Sequence, residues 1–307
     1  MLKRRGITLI ELLVVVVMMG IIGTALSRIF TTVMGASSAQ VRIAATQGEA
    51  RVGTLLLPQE FREIGYDAND ATGVETSDLV TIATDRIRFF ASRGLGITCG
   101  TPTIVGPVAE FRIRRAIFGQ RVPLITDRFR LFLELDVNLA SDDQWIPMVV
   151  TNIDLNSTCD GTEPAIRFTA VTPQVDPGPP VGLADIVLSN HRIGGPIRWF
   201  EQVEYHTATD ATTGELFVTR RSISLGEAVG QPIIGPLAGT GGFALTYYDA
   251  AGNVVNPTTA NPLVVRSIDV AIRTTTNSNV SLAGSTTRAV SNFPVVTRVS
   301  LRNSLRP

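Results

Sequence analysis

The first 26 residues constrain this chain more than any other stretch. Lys3, Arg4 and Arg5 precede Gly6, and from Ile7 to Leu26 every residue except Thr8, Glu11 and Thr24 is apolar or glycine. A helix of about 20 residues is about 30 Å long, enough to cross a bilayer core. The run is longer than the roughly 7–15-residue core of a secretory signal and lacks its small-residue exit. Glu11 is the one charge inside it. An ionisable group in a span costs about 2.5–3.5 kcal/mol unless it is partnered, and a plain membrane anchor has no use for one. The acid therefore implies a partner.

Gly6 followed by ITLIELLVVVVMMGIIG resembles the class III signal of the type IV prepilin family. The resemblance implies that a membrane-bound prepilin peptidase cuts after Gly6 and methylates the new amine of Ile7. It also implies that Glu11 docks on the positive N-terminus of a neighbouring subunit. Ile7 stands where the family usually has Phe, a variation it tolerates, and Gly20 falls on a glycine common in its helices. The motif covers about a tenth of the chain.

The remaining composition fits an extracytoplasmic domain. With 307 residues and 44% hydrophobic content, the chain can bury one large core or two small ones. Removing Lys3, Arg4 and Arg5 leaves 24 basic groups against 27 acids, a net of −3, so nucleic acid is not an expected partner. The basic leader stays cytoplasmic by the positive-inside rule. That places Cys99 and Cys159 across the membrane, where an even pair favours a disulfide. Closing that loop would stabilise by about 4 kcal/mol in the chain-entropy model. Two buried free thiols are the alternative.

Beyond Leu26, residues Ile29, Val33, Ala36, Ala39, Ile43 and Thr46 recur at three- and four-residue steps, which predicts that the span continues as an amphipathic helix. Pro58 predicts a kink or a restart, and Gly65 leaves the helix. Short alternating runs then predict strands: RIRFFA from Arg86, EFRIRR from Glu110, RLFLELDV from Arg130 and IRFTAV from Ile166. ELFVTRRSISL from Glu215, FALTYY from Phe243, VVRSIDVAIRT from Val264 and PVVTRVSLRN from Pro294 read the same way. In RLFLELDV the leucines share one face and Arg130, Phe132, Glu134 and Asp136 the other, a half-buried antiparallel pattern. YYDAAGNVV reads as a hairpin, and Thr274–Arg288 as a long exposed hairpin loop. The proline-rich stretch 173–182 is the best place for a boundary within the β-rich region. Residues 1–6 are thus a leader, 7–26 a span, 27–65 an amphipathic helix and 66–307 a β-rich domain. The expected fold class is α+β, pilin-like, a long N-terminal helix packed on antiparallel sheet.

No catalytic constellation is legible. The only histidines are His191 and His206, and there is no metalloprotease, nucleophile-elbow or phosphate-loop motif. His206 near Asp210 lacks a defined nucleophile, and GLGITCG (94–100) misses the dinucleotide spacing and reads as a turn beside Cys99. Asp67, Asn69 and Glu75 echo a calcium loop without its ligand order. Calcium is therefore the weaker reading there and a solvated loop the stronger, as it is for Asp142 and Asp143; no cofactor is expected. Arg112, Arg114, Arg115, Arg220 and Arg221 read as charges guarding edge strands.

The helix end LLLPQEFREIGYDA and the order of the C-terminal strands resemble PilW-type minor pilins, with J-type pseudopilins of type II secretion second. That resemblance implies no enzyme activity. It implies partnership with prepilin peptidase, other major and minor pilins and an inner-membrane assembly platform, and residence in the inner membrane before transfer to a pilus or the cell surface. In a strain with active peptidase, the mass of the mature protein is expected to begin at a methylated Ile7, with Met1 absent.

Overall fold

The protein is described from a computed structural model over residues 8–64, 78–100, 102–105, 108–133, 144–171, 193–276, 279–282, 285–287 and 294–301. One helix, α1 (Leu9–Phe61), runs 53 residues without interruption, about 80 Å at the helical rise. Pro58 lies inside it, so the helix neither stops nor restarts there. Pro58 has no N–H to donate, but its carbonyl still accepts from Arg62 N–H at 3.0 Å, and α1 ends at the close of that turn.

Among the described residues, only the second half of α1 is covered by other elements. Its buried residues are Ala39, Thr46, Ala50, Gly53, Thr54, Leu57, Pro58 and Phe61. Ile29 and Val33, expected on the same face, are exposed. Three-residue steps fall about 60° short of a full turn and four-residue steps overshoot by about 40°, so the run drifts by about 100° between Ile29 and Thr46, and Ile29 and Val33 also precede Ala39, the first buried residue of α1.

Among the described residues, eleven strands form one antiparallel sheet. In sequence they are β1 (Leu79–Ile82), β2 (Arg86–Ile97), β3 (Thr103–Val105), β4 (Val108–Arg114), β5 (Phe118–Gly119), β6 (Arg128–Leu133), β7 (Gln144–Cys159), β8 (Glu163–Val171), β9 (Pro196–Thr209), β10 (Leu216–Ser222) and β11 (Gln231–Ile234). The sheet order is β1-β2-β9-β6-β7-β8-β4-β3, with β10 on β9, β11 on β10 and β5 on β2. A second antiparallel sheet of order β13-β12-β14-β17 comprises β12 (Phe243–Tyr248), β13 (Val254–Val255), β14 (Ser267–Ile272) and β17 (Val295–Ser300). β15 (Val280–Leu282) and β16 (Ser285–Thr287) form a hairpin, of which β15 lies against α1.

The eight predicted strands are all present. The YYDAAGNVV hairpin is also there, joining β12 to β13. The stretch Thr274–Arg288 holds a hairpin too, but its start is not exposed: Thr274, Thr275 and Thr276 are buried, and Thr274 Oγ1 donates to Thr46 O at 2.9 Å. With Arg42 Nη1 donating to Asn279 O at 3.2 Å, this segment clasps α1. Arg130 is 1% exposed, so β6 is covered on both faces at that point rather than half-buried, with Asp78 3.9 Å from its guanidinium. Residues 134–137 and 173–182 lie outside the described residues.

Six strands escaped the pattern reading: the short β1, β3, β5 and β11, and the long β7 and β9. β7 carries Pro147, Asn152, Asp154 and Asn156, residues typical of turns. β9 carries Glu201 and Glu204 yet is central: β2 pairs along one edge, and β6 and β10 share the other. Glu204 lies in register with Arg88 of β2 and Arg221 of β10 and meets both guanidinium groups at 2.6 Å. On the opposite face Glu201 meets Arg93 at 2.6 Å and Arg220 at 3.1 Å, and Arg93 reaches across to Glu60 of α1 at 3.0 Å. Arg220 and Arg221 therefore sit on a strand paired on both sides, not on a guarded edge. Arg112 is likewise internal: β8 pairs along one side, and Cys99 N–H donates to its carbonyl from the other.

Around Arg93 and Glu60 the helix end is sealed by aromatic packing. Phe61 meets Phe89 and Tyr205 edge-on at centroid distances of 5.5 and 5.8 Å. Gly53 lets α1 come close, since a Cβ there would lie 2.7 Å from Ile234 and 2.8 Å from Ile272. The resulting core joins α1, β2, β9 and one face of the second sheet, including Leu245, Tyr247 and Val270. A separate core lies farther along the large sheet, around Phe111, Phe129, Phe168 and Trp199.

Burial by itself would raise Glu201 and Glu204. Ser222, Arg93 and Arg220 around the first, and Arg88 and Arg221 around the second, outweigh it and hold both below the ordinary 4.5. A folded value below the unfolded one means that the unfolded chain takes up protons first as the pH falls. The stabilisation is whole above about pH 5 and is lost as the pH drops through the unfolded value towards the folded one. The urea midpoint is expected to fall between about pH 5 and pH 3, and a Glu201→Gln, Glu204→Gln variant to show a shallower fall.

Candidate functional site

The described part of the N-terminal signal begins at Thr8; Gly6 and Ile7 lie outside it. Thr8 has extended backbone (φ −76°, ψ 151°) and caps α1. Its Oγ1 accepts from Glu11 N–H at 3.3 Å, while Glu11 Oε2 accepts from Thr8 N–H and Thr8 Oγ1, both at 3.0 Å. This reciprocal box satisfies backbone donors that a helix start leaves open. In a bilayer core it also supplies the carboxylate with two donors from its own chain. Thr8 was not among the residues singled out above, although T-x-x-E before an apolar run is a legible capping signature.

From Leu9 the stretch is long and apolar enough to span a membrane, and no described residue covers it. Such a helix fits a single-pass protein anchored at its N-terminus with a C-terminal domain beyond.

Exposed apolar residues do not stop at the end of the span. Leu26, Phe30, Val33, Val41, Val52 and Leu55 are all more than half exposed, and Ala44 and Gly48 lie between them on the surface. At about 100° per residue these positions fall within an arc of roughly 100°. Ala39, Thr46, Ala50, Gly53 and Leu57, which face the β domain, centre about half a turn away. The helix thus has two apolar faces, one filled by its own domain and one open.

Cys99 and Cys159 are joined as a disulfide, with Cα atoms 5.7 Å apart. Cys99 follows β2 and Cys159 ends β7, so the bond fastens a seam where β4 returns to β2. The same seam holds the Thr98–Ile113 bridge and the Cys99 N–H bond to Arg112 O at 2.8 Å. GLGITCG is therefore mostly strand: β2 continues to Ile97, and the turn comes only at Gly100, whose φ is 75°. Gly94 is required there because a Cβ would fall 2.2 Å from the Trp199 ring.

The remaining candidates are scattered. His206 is half-buried, with Thr219 Oγ1 at 3.3 Å and Glu204 at 3.6 Å; burial chiefly lowers its pKa. Asp210 is turned into its own loop, accepting from Thr212 and Thr213. Asp67, Asn69, Glu75, Asp142, Asp143 and His191 lie outside the described residues. On non-reducing gels the protein is expected to run faster than after reduction, and Cys99→Ser to abolish the difference.

Residues 1–27 match the family model of the prokaryotic N-terminal methylation motif. No curated protein and no solved structure matches the chain. The methylation motif stands at the head of a long apolar helix that is packed on antiparallel sheets, a pilin-like α+β architecture.

Proposed function

We propose that this chain is a minor pilin of a type IV pilus, cleaved after Gly6, methylated at Ile7 and assembled through α1. The observation that carries the reading is the open apolar face from Leu26 to Leu55, opposite the face that holds the β domain. Residues repeating at three and four positions along a helix are covered best by other helices. Before assembly, lipid covers the first part of this face; in a filament, neighbouring helices would cover all of it.

Glu11 then acts as a docking group. In the stored subunit Thr8 supplies its donors. On docking, the Ile7 amine of a neighbour replaces them with a full positive charge, a stronger, charge-assisted partner. A misregistered neighbour leaves the acid with Thr8 alone, so the pair selects register as well as stabilising it. The size of the β domain supports a subunit present in few copies, at a filament tip or in its priming, held by the assembly platform until incorporated. Membrane fractionation and filament shearing test this. Glu11→Val is expected to leave insertion unchanged and to reduce incorporation about tenfold or more, a change worth about 1.4 kcal/mol per decade. Normal incorporation in that variant would count against the docking role.

A further inference from the structure

Where α1 ends, a groove of about 540 Å³ opens between the helix and the large sheet. Leu56 and Gln59 form its helical wall, Ile233 of β11 the far wall, and Gln120 of the β5–β6 connection one end. That connection is tied down along its length. Gln120 N–H donates to Arg93 O at 2.9 Å, Arg121 holds Asp127 through two contacts of 2.6 Å, and Trp199 Nε1 donates to Arg121 O at 3.1 Å. Yet Phe118 of β5 is 65% exposed, and in the connection Ile125 is 51% and Val122 43% exposed, although Pro123 is buried. A loop fixed by buried polar contacts while presenting apolar tips has the composition of an interface centre rather than of a solvated turn.

Two features indicate what covers it. The open stripe of α1 runs into the groove, because Leu55 belongs to the stripe while Leu56 and Gln59 line the cavity. Any helix laid along the stripe brings with it whatever domain follows that helix. The lining also carries both signs, with Glu60 and Arg220 already ion-paired to Arg93 and Glu201, and Arg62 and Glu63 beside them, which matches a mixed-charge protein surface and not a polyanion or an anionic membrane.

We infer that the groove and the Phe118–Ile125 connection are the docking surface for the β domain of an adjacent pilin-type subunit, the one whose helix covers the stripe. The inference rests on the filament reading above. It divides assembly between a helical contact that any such subunit can make and a β-domain contact that chooses the neighbour.

Photo-crosslinking in intact cells that carry the assembly machinery tests it, with benzophenone-alanine in the full chain at Phe118, at Gln59 and, on the stripe, at Val41. Adducts at Phe118 and Gln59 are expected to contain a chain with a methylation-type N-terminus, identified by peptide mass spectrometry. Phe118→Asp, at an exposed position, is expected to reduce the Gln59 adduct about tenfold. Adducts at Val41 with none at Phe118 or Gln59 would overturn the groove and leave the helical reading intact. Groove adducts with a chain of any other kind would also overturn it. Groove adducts to a pilin-type chain without any at Val41 would uphold the groove against the stripe, and silence at all three positions would sink both.

Discussion

The contact on which the rest depends is the seating of the last turns of α1 on β2 and β9. A helix whose first half is apolar and uncovered contributes nothing to the core of its own monomer. Its orientation must therefore be set from the far end. Phe61 between Phe89 and Tyr205, and Glu60 on Arg93, do this. Arg93 is 3% exposed and bound to both Glu60 and Glu201. Breaking a buried pair such as Arg93–Glu201 costs about 3–5 kcal/mol, while Glu60, a quarter exposed, contributes less. The clasp from Thr274 to Asn279 grips the helix a few turns earlier, so the angle at which α1 leaves the domain is held at two points.

That arrangement reconciles two demands on one helix. Its N-terminal part must be stable in lipid with a carboxylate near its start, which the Thr8–Glu11 box makes tolerable. Its remaining length must keep an apolar face open while packing another. Gly53 lets the packed side sit close to Ile234 and Ile272, and the open side is left half a turn away. The β domain then works as a rigid handle. Its large sheet returns on itself near Ile113, and the Cys99–Cys159 bond holds that seam at some distance from the helix.

Much of this was legible in the linear sequence where the determinant was local. The span and Glu11 are read from consecutive residues, and Thr8 could have been, since its partner lies three positions on. Eight strands followed from alternation of apolar and polar side chains, which needs no knowledge of neighbours. The cysteine pair was readable as a pair, but its function as the seam of a closing sheet was not. β7 and β9 were missed because local chemistry argued against them. Glu201 and Glu204 belong in a central strand only because Arg88, Arg93, Arg220 and Arg221 arrive from strands distant in sequence.

By itself, then, the sequence determined the long apolar start, the methylation motif, the acid within the apolar run and the α+β class, because each is written in short-range order and periodicity. Tertiary structure alone decided which face of α1 is covered, where it is seated and which strands are central. It also decided that a groove opens at the end of the helix. The physical reason is that burial of charge and the phase of a long helix depend on partners brought together from far along the chain, and no local pattern records them.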